Sequence, residues 1–311
     1  LNEHLDKMPN LKKFIDEHPD ETALMLSADG KLYMPPTTGG FAENSGIFMY
    51  RADIFEAHNL EVPTTYDELK EVLIKLKQLY PDSYPMMVNK LNNMVYGYAG
   101  SFGTGDGYYY NAEKDAMAYG PMEDGFRDLV AFFSELYAAG VIPIDFLTID
   151  SSQLNQLMTT DGSFFYYGYV DNIDAFNQAG QATNPNFRLE AMIPPVGPGG
   201  QYNGTRLFVT EGLTITTTTK KLDEALEFLD WLYTEEAKEA LSWGLEGVSY
   251  EVVDGKKKYV DAITDLTALT RDFGIKSAGN MQWIDQNAWM SLLSETSSKA
   301  QEIAIKYMKP M

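Results

Sequence analysis

The chain has 311 residues, with 24 Lys and Arg against 45 Asp and Glu for a formal net charge of −21, and it has no cysteine. Its length is comfortable for two lobes, and 44% apolar residues suffice to bury a core. The acid excess speaks against nucleic acid and anionic membrane surfaces as partners, and the missing cysteine excludes disulfides, thiolate metal sites and cysteine nucleophiles.

In chain order, "LNEHLDKMPNLKKFIDEHP" reads as helix from Leu1 onward, as a fragment or a processed form would begin. No signal peptide and no apolar run of bilayer length is visible. "KLYMPP" and "GIFMYR" are strand candidates. "TTYDELKEVLIKLKQLYP" predicts a helix: Thr65 and Glu68 have capping-box spacing, Leu69, Val72, Leu73 and Leu76 make one apolar stripe, and Pro81 stops it. "GTGDGY" reads as a flexible glycine loop, because Gly103, Gly105 and Gly107 miss the dinucleotide-binding spacing. "AGSFG" has Ala99 where a nucleophile elbow needs its first glycine. "PMEDGFRDLVAFFSELYAAG" predicts a helix burying Phe126, Leu129, Val130, Phe133, Leu136 and Tyr137, with Gly140 as its left-handed cap.

Farther on, "SFFYYGY", "RLEAMI" and "LFVTEGLTITTTT" are strand candidates, and "IPPVGPGGQYNGTR" is a loop by its Pro and Gly content. "KLDEALEFLDWLYTEEAKEALSWG" predicts two helices, the first buried through Leu222, Leu226 and Leu229, the second capped by Thr234 and ended at Gly244. "VVDGKKKYV" predicts a hairpin turning at Asp254–Gly255. The sum is a mixed α/β protein.

Catalytic signals are weak. The three histidines, His4, His18 and His58, lie in polar helix or turn contexts, without metal-ligand spacing and away from strand exits. Asp106 lacks further carboxylates at calcium-ligand spacing. No cofactor motif is present. A carboxylate pair for glycoside hydrolysis needs only two acids close in space, and with 45 acids that signal has no specificity.

Two stretches then speak together. "DGKLYMPPTTGGFAENSGIFMYRADIFEAHNLEVPTTYDELKEVLIKLKQLYPDSYP" is one; the other runs from "LMTTDGSFFYYGYVDN" through "IPPVGPGG" to "EGLTITTTTKKLDEALEFLDWLYTEEAKEALSWGLEGVSYEVVDGKKKY". In this order they resemble the extracellular solute-binding protein family 1 of ABC importers, in the long lipoprotein branch of Gram-positive bacteria. The resemblance covers most of the chain. It implies a two-lobed periplasmic-binding-protein type II fold, with hinge strands crossing between the lobes and ligand in the cleft. It implies no enzymatic step, a monomer, ABC permease subunits as partners, and a cell-surface location through an N-terminal lipid in the full-length form. Members begin with a lipobox cysteine and several βα units that do not precede Leu1 here, so the first lobe is expected to be incomplete. The expected division is lobe 1 from 1–43 with 211–262, lobe 2 from 44–210, and a C-terminal helical segment 263–311 packed on lobe 2.

The candidate ligand residues follow. In "SFFYYGYVDN", alternation separates Phe165, Tyr167 and Tyr169 from Phe164 and Tyr166. Tyr167 and Tyr169 are the expected cleft rings, with Asn172 as a hydrogen-bonding neighbour; the competing reading is that they fill core at the strand end. Asn44 in "GGFAENSG" aligns with a cleft-facing polar position of sugar-binding members, or is a turn asparagine. Trp243 and Glu246 in "SWGLEGVSYE" form a stacking platform, or Trp243 is a helix-end hydrophobic contact. Tyr96 is a further candidate; Trp283 and Trp289 are expected to pack. Flat rings suit sugar faces, so the expected ligand is an oligosaccharide, with peptide and polyamine also compatible with rings and acids. A carboxylate-pair hydrolase and a non-transport binding module are the alternatives to a transport component.

Overall fold

The computed structural model describes residues 1–36, 46–111, 114–203, 213–275 and 284–308. Its strands are β1 (Gly46–Arg51), β2 (Met86–Met87), β3 (Tyr108–Asn111), β4 (Ala116–Tyr119), β5 (Phe165–Tyr169), β6 (Leu189–Met192), β7 (Tyr250–Val253) and β8 (Lys256–Tyr259). The chain forms two compact units, Leu1–Glu43 with Phe208–Leu293, and Asn44–Leu207 with Ser294–Met311. The segment 263–311, expected as one piece, therefore divides at Leu293. Helices Leu266–Phe273 and Gln286–Met290 belong to the first unit, and helix Glu295–Lys306 to the second.

The second unit is built on a sheet of order β2-β5-β1-β6. β5 runs parallel to β2, and β1 runs antiparallel to both β5 and β6. "GIFMYR" is buried along its whole length, as a strand covered on both faces must be. Helix Tyr66–Leu79 packs Leu69, Val72, Leu73 and Leu76 inward, and its Thr65–Glu68 capping box is complete. Helix Asp124–Ala138 buries a narrower arc than its sequence predicts. Phe132 replaces Val130 and Tyr137, both exposed, because Tyr66 and Phe102 meet Phe132 at ring distances of 5.3 and 5.8 Å. Gly140 takes its left-handed φ of 69°. Residues 103–107 form a loop, as the glycine reading expects, and it leads into the β3–β4 hairpin.

In the first unit, helix Pro9–Glu17 lays Leu11 and Phe14 against Leu226, Leu229 and Tyr233. Asp230 accepts hydrogen bonds from the Asn10 and Leu11 backbone N–H groups at 2.8 and 2.9 Å. A carboxylate remote in sequence thus caps a helix start. Leu222 is exposed rather than inward, while Thr234 and Gly244 stand where predicted, the former accepting from Ala237 N–H at 3.1 Å. The β7–β8 hairpin turns at Asp254 and Gly255, both at positive φ. "KLYMPP" forms no strand, only an isolated bridge at Leu32, and 213–219 of "LFVTEGLTITTTT" is irregular; its 207–212 part lies outside the described residues.

Candidate functional site

In the second unit, β2, β5 and β6 point the same way, so their carboxyl ends and the start of β1 share one edge of the sheet. Open α/β sheets bind ligands at such edges. β5 delivers its last residue, Tyr169, opposite Gly46. Tyr169 is 47% exposed, so its ring stands outside the packed sheet. The next helix begins at Asn172, whose side-chain oxygen accepts the Tyr169 N–H at 3.0 Å. Gly168 is what allows this turn: a Cβ there would lie 2.2 Å from the Tyr166 ring and 2.7 Å from the Asn172 oxygen.

Tyr167, for which the sequence left open a cleft ring or a core ring, is a core ring. It is 6% exposed, with Phe48 at 4.9 Å and Tyr98 at 5.7 Å between ring centroids. Gly46 and Gly97 flank it so closely that a Cβ on either would come within 2.2 and 2.4 Å of its atoms. Tyr96, partly buried, meets Tyr167 edge-on at 6.4 Å. Four of the candidates, Tyr96, Tyr167, Tyr169 and Asn172, are therefore brought to one edge, and of their three rings Tyr169 is the exposed one, at about half of its surface.

Trp243 and Glu246 belong to the first unit. Trp243 is an interior ring, not an open platform: it is 3% exposed, lies 4.8 Å from Tyr259, and donates its indole N–H to Asp285 at 2.8 Å. Glu246 is exposed at an isolated bridge with Tyr250. Trp289 is buried, as expected for a packing residue. Asn44 and Trp283 lie outside the described residues. Two grooves on the second unit's surface, about 440 Å³ beside Thr65, Phe132 and Val196 and about 500 Å³ along residues 59–75, contain none of the candidates.

Residues 15–239 match the family described as bacterial extracellular solute-binding protein. The chain belongs to that family. Among curated relatives it is similar to the polygalacturonan/rhamnogalacturonan-binding protein YtcQ of Bacillus subtilis, 24% identical over 82% of this chain and 52% of the relative. It is likewise similar to the fructooligosaccharide ABC transporter substrate-binding protein FusA of Streptococcus pneumoniae, 24% identical over 78% of this chain and 48% of the relative. The chain thus spans about half the length of the curated relatives it matches. Among solved structures, alginate-binding protein AlgQ2 in its calcium-free form superposes with a TM-score of 0.83 at 20% identity, over all of this chain and 67% of the other. An extracellular solute-binding protein from Bifidobacterium longum subsp. infantis gives 0.72 at 21% identity, over 100% and 68%. The fold is that of the two-lobed solute-binding proteins.

In this solute-binding protein one polar group at the sheet edge escaped the sequence reading. Asp171, between Tyr169 and Asn172, is half-buried, and its Oδ1 is buried with no hydrogen-bond partner among the described residues. Burial raises its carboxyl above the usual range, against the lowering effect of the Asp171 and Asn172 backbone amides, and the nearby charge of Asp174 raises it further. The "VDN" at the strand exit carries the signal, in which asparagine stands out because it can both donate and accept. Because the raised value makes the folded state hold this proton to higher pH than the unfolded chain does, the residue's penalty is absent below the unfolded value of about 3.9 and fully present above the folded one. Asp171→Asn is therefore expected to raise the urea midpoint at pH 7 and to leave it nearly unchanged at the acid end, as paired denaturation curves would show.

Proposed function

We propose that the chain is the ligand-capturing part of an ABC-importer substrate-binding protein that takes up an extracellular oligosaccharide and presents it to permease subunits. The observation that carries this is the half-exposed Tyr169 ring at the carboxyl edge of the sheet, with Asn172 bonded to its backbone and Asp171 two residues on. A phenol ring offers an apolar face for sugar C–H groups, and the neighbouring amide and carboxylate suit hydroxyls. Relatives named for polygalacturonan and fructooligosaccharide binding support a glycan over a peptide or polyamine. In this reading the protein performs no bond cleavage, works as a monomer, and is held at the cell surface by a lipid on its full-length form.

The test is a thermal-shift screen of this chain against kestose, nystose and oligogalacturonides, run beside a tripeptide and spermidine. A ligand present at about 100 times its Kd stabilises by about 2.7 kcal/mol. The expected result is a rise of several degrees with at least one glycan and none with the peptide or the polyamine. A flat response to every glycan would sink the proposal.

A further inference from the structure

The β3–β4 hairpin lies wholly in the second unit. Its register pairs Tyr108 with Tyr119 and Tyr110 with Met117. All four side chains project from the same face, since alternate residues share a side. That face is open: Tyr108 is 78% exposed and Met117 66%. Tyr108 and Tyr119 lean together at 4.7 Å between centroids. Among the described residues neither of their phenols is hydrogen-bonded to protein, so both hydroxyls are available to a ligand.

The opposite face holds the ribbon rigidly. Tyr109 is buried and donates its phenol to Glu123 at 2.6 Å. At the root, a Cβ on Gly120 would stand 1.9 Å from the Gly105 carbonyl oxygen, and one on Gly105 would stand 2.6 Å from the Tyr109 ring. The aromatic face is therefore pre-organised and loses little conformational entropy on binding. Exposed apolar patches of this kind mark interaction sites.

We propose that this face is a second carbohydrate-stacking surface, which holds a segment of a neutral polysaccharide against Tyr108, Tyr119 and Tyr110. The inference rests on the oligosaccharide reading above and adds a site to it. Three observations select the occupant. Four residues of strand at about 3.4 Å each give a ribbon about 14 Å long, whose face is on the order of 200 Å². A stable protein partner or a second copy needs about 800 Å² per side, whereas a few sugar rings would fill it. The net charge of −21 repels an anionic membrane. Among the described residues at the ribbon's end the one cation, Lys114, is already paired, lying 2.8 Å from Glu123, so the face offers no cation to an anionic glycan, which fits an uncharged ligand.

Native gels cast with inulin, mannan or glucomannan test this. The unaltered protein is expected to be retarded in at least one gel. Tyr108→Ala combined with Tyr119→Ala is expected to weaken that retardation on the order of tenfold, while Tyr108→Phe combined with Tyr119→Phe retains most of it. Met117→Glu, at an exposed position that leaves the fold intact, is expected to weaken it as well, so a poorly folded alanine pair does not decide the matter. The thermal response to short oligosaccharides should survive all of these changes. Retardation in no gel, or retardation unaffected by the alanine pair and Met117→Glu, overturns the proposal. So does a concentration-dependent dimer in sedimentation that these substitutions abolish, since it assigns the face to a second copy. A flat thermal response with retardation intact would count against the sheet-edge site and leave this one standing.

Discussion

Arg51→Ala is expected to destabilise the second unit by about 3–5 kcal/mol, the cost of leaving one partner of a buried ion pair behind. Arg51 ends β1 with its side chain 1% exposed. Its guanidinium meets Asp53 through two bonds of 2.8 Å, donates to the Thr160 carbonyl at 2.8 Å, reaches Asp161 at 3.2 Å, and lies 4.0 Å over the Phe187 ring. Removing it strands Asp53, whose side chain is only 11% exposed, and opens a space beneath Phe187. At about 2–4 °C per kcal/mol for a unit of this size, calorimetry should show the corresponding transition falling by about 10 °C. Arg51→Lys is expected to recover only part of the loss, because an ammonium cannot reproduce the planar two-bond contact. A drop of only a degree or two for Arg51→Ala would show that the buried pair contributes little.

The second large effect separates two tyrosines two residues apart. Tyr167→Ala is expected to cost about 3–5 kcal/mol, as for other buried aromatics, since Gly46 and Gly97 press on its ring and cannot fill the space it leaves. Tyr169→Ala, at a half-exposed position, is expected to change stability by less than about 0.5 kcal/mol. It should nevertheless remove most of the glycan-induced thermal shift. Denaturation curves with and without glycan measure both quantities. If Tyr169→Ala unfolds the protein while Tyr167→Ala spares it, the inward and outward assignments along β5 are reversed.

Local signals carried well where a short stretch contains its own reason. The Thr65–Glu68 capping box, the Asp254–Gly255 turn, the Thr234 cap and the Gly140 stop each depend on residues within a turn of one another, and each is present. "YYY" after a run of glycines was less legible. Its strand partner lies beyond Asn111, and the glycines look loose until Gly120 is seen packed on the Gly105 carbonyl. Trp243 followed the same pattern: the glycine after it suggested an exposed bend, but Asp285, far along the chain, takes its N–H.

By itself, the order of motifs determined the family and the mixed α/β class, and period-2 alternation determined that Tyr167 and Tyr169 lie on one side of their strand. Which of those two rings is sealed and which is open was decided only in three dimensions. The same holds for the division of the C-terminal segment between two units, and for the partners that bury Arg51 and Trp243. Helix caps and hairpin turns arise from neighbours along the backbone and are written locally. Burial arises from which distant segments close over a side chain, and no short window of sequence contains that.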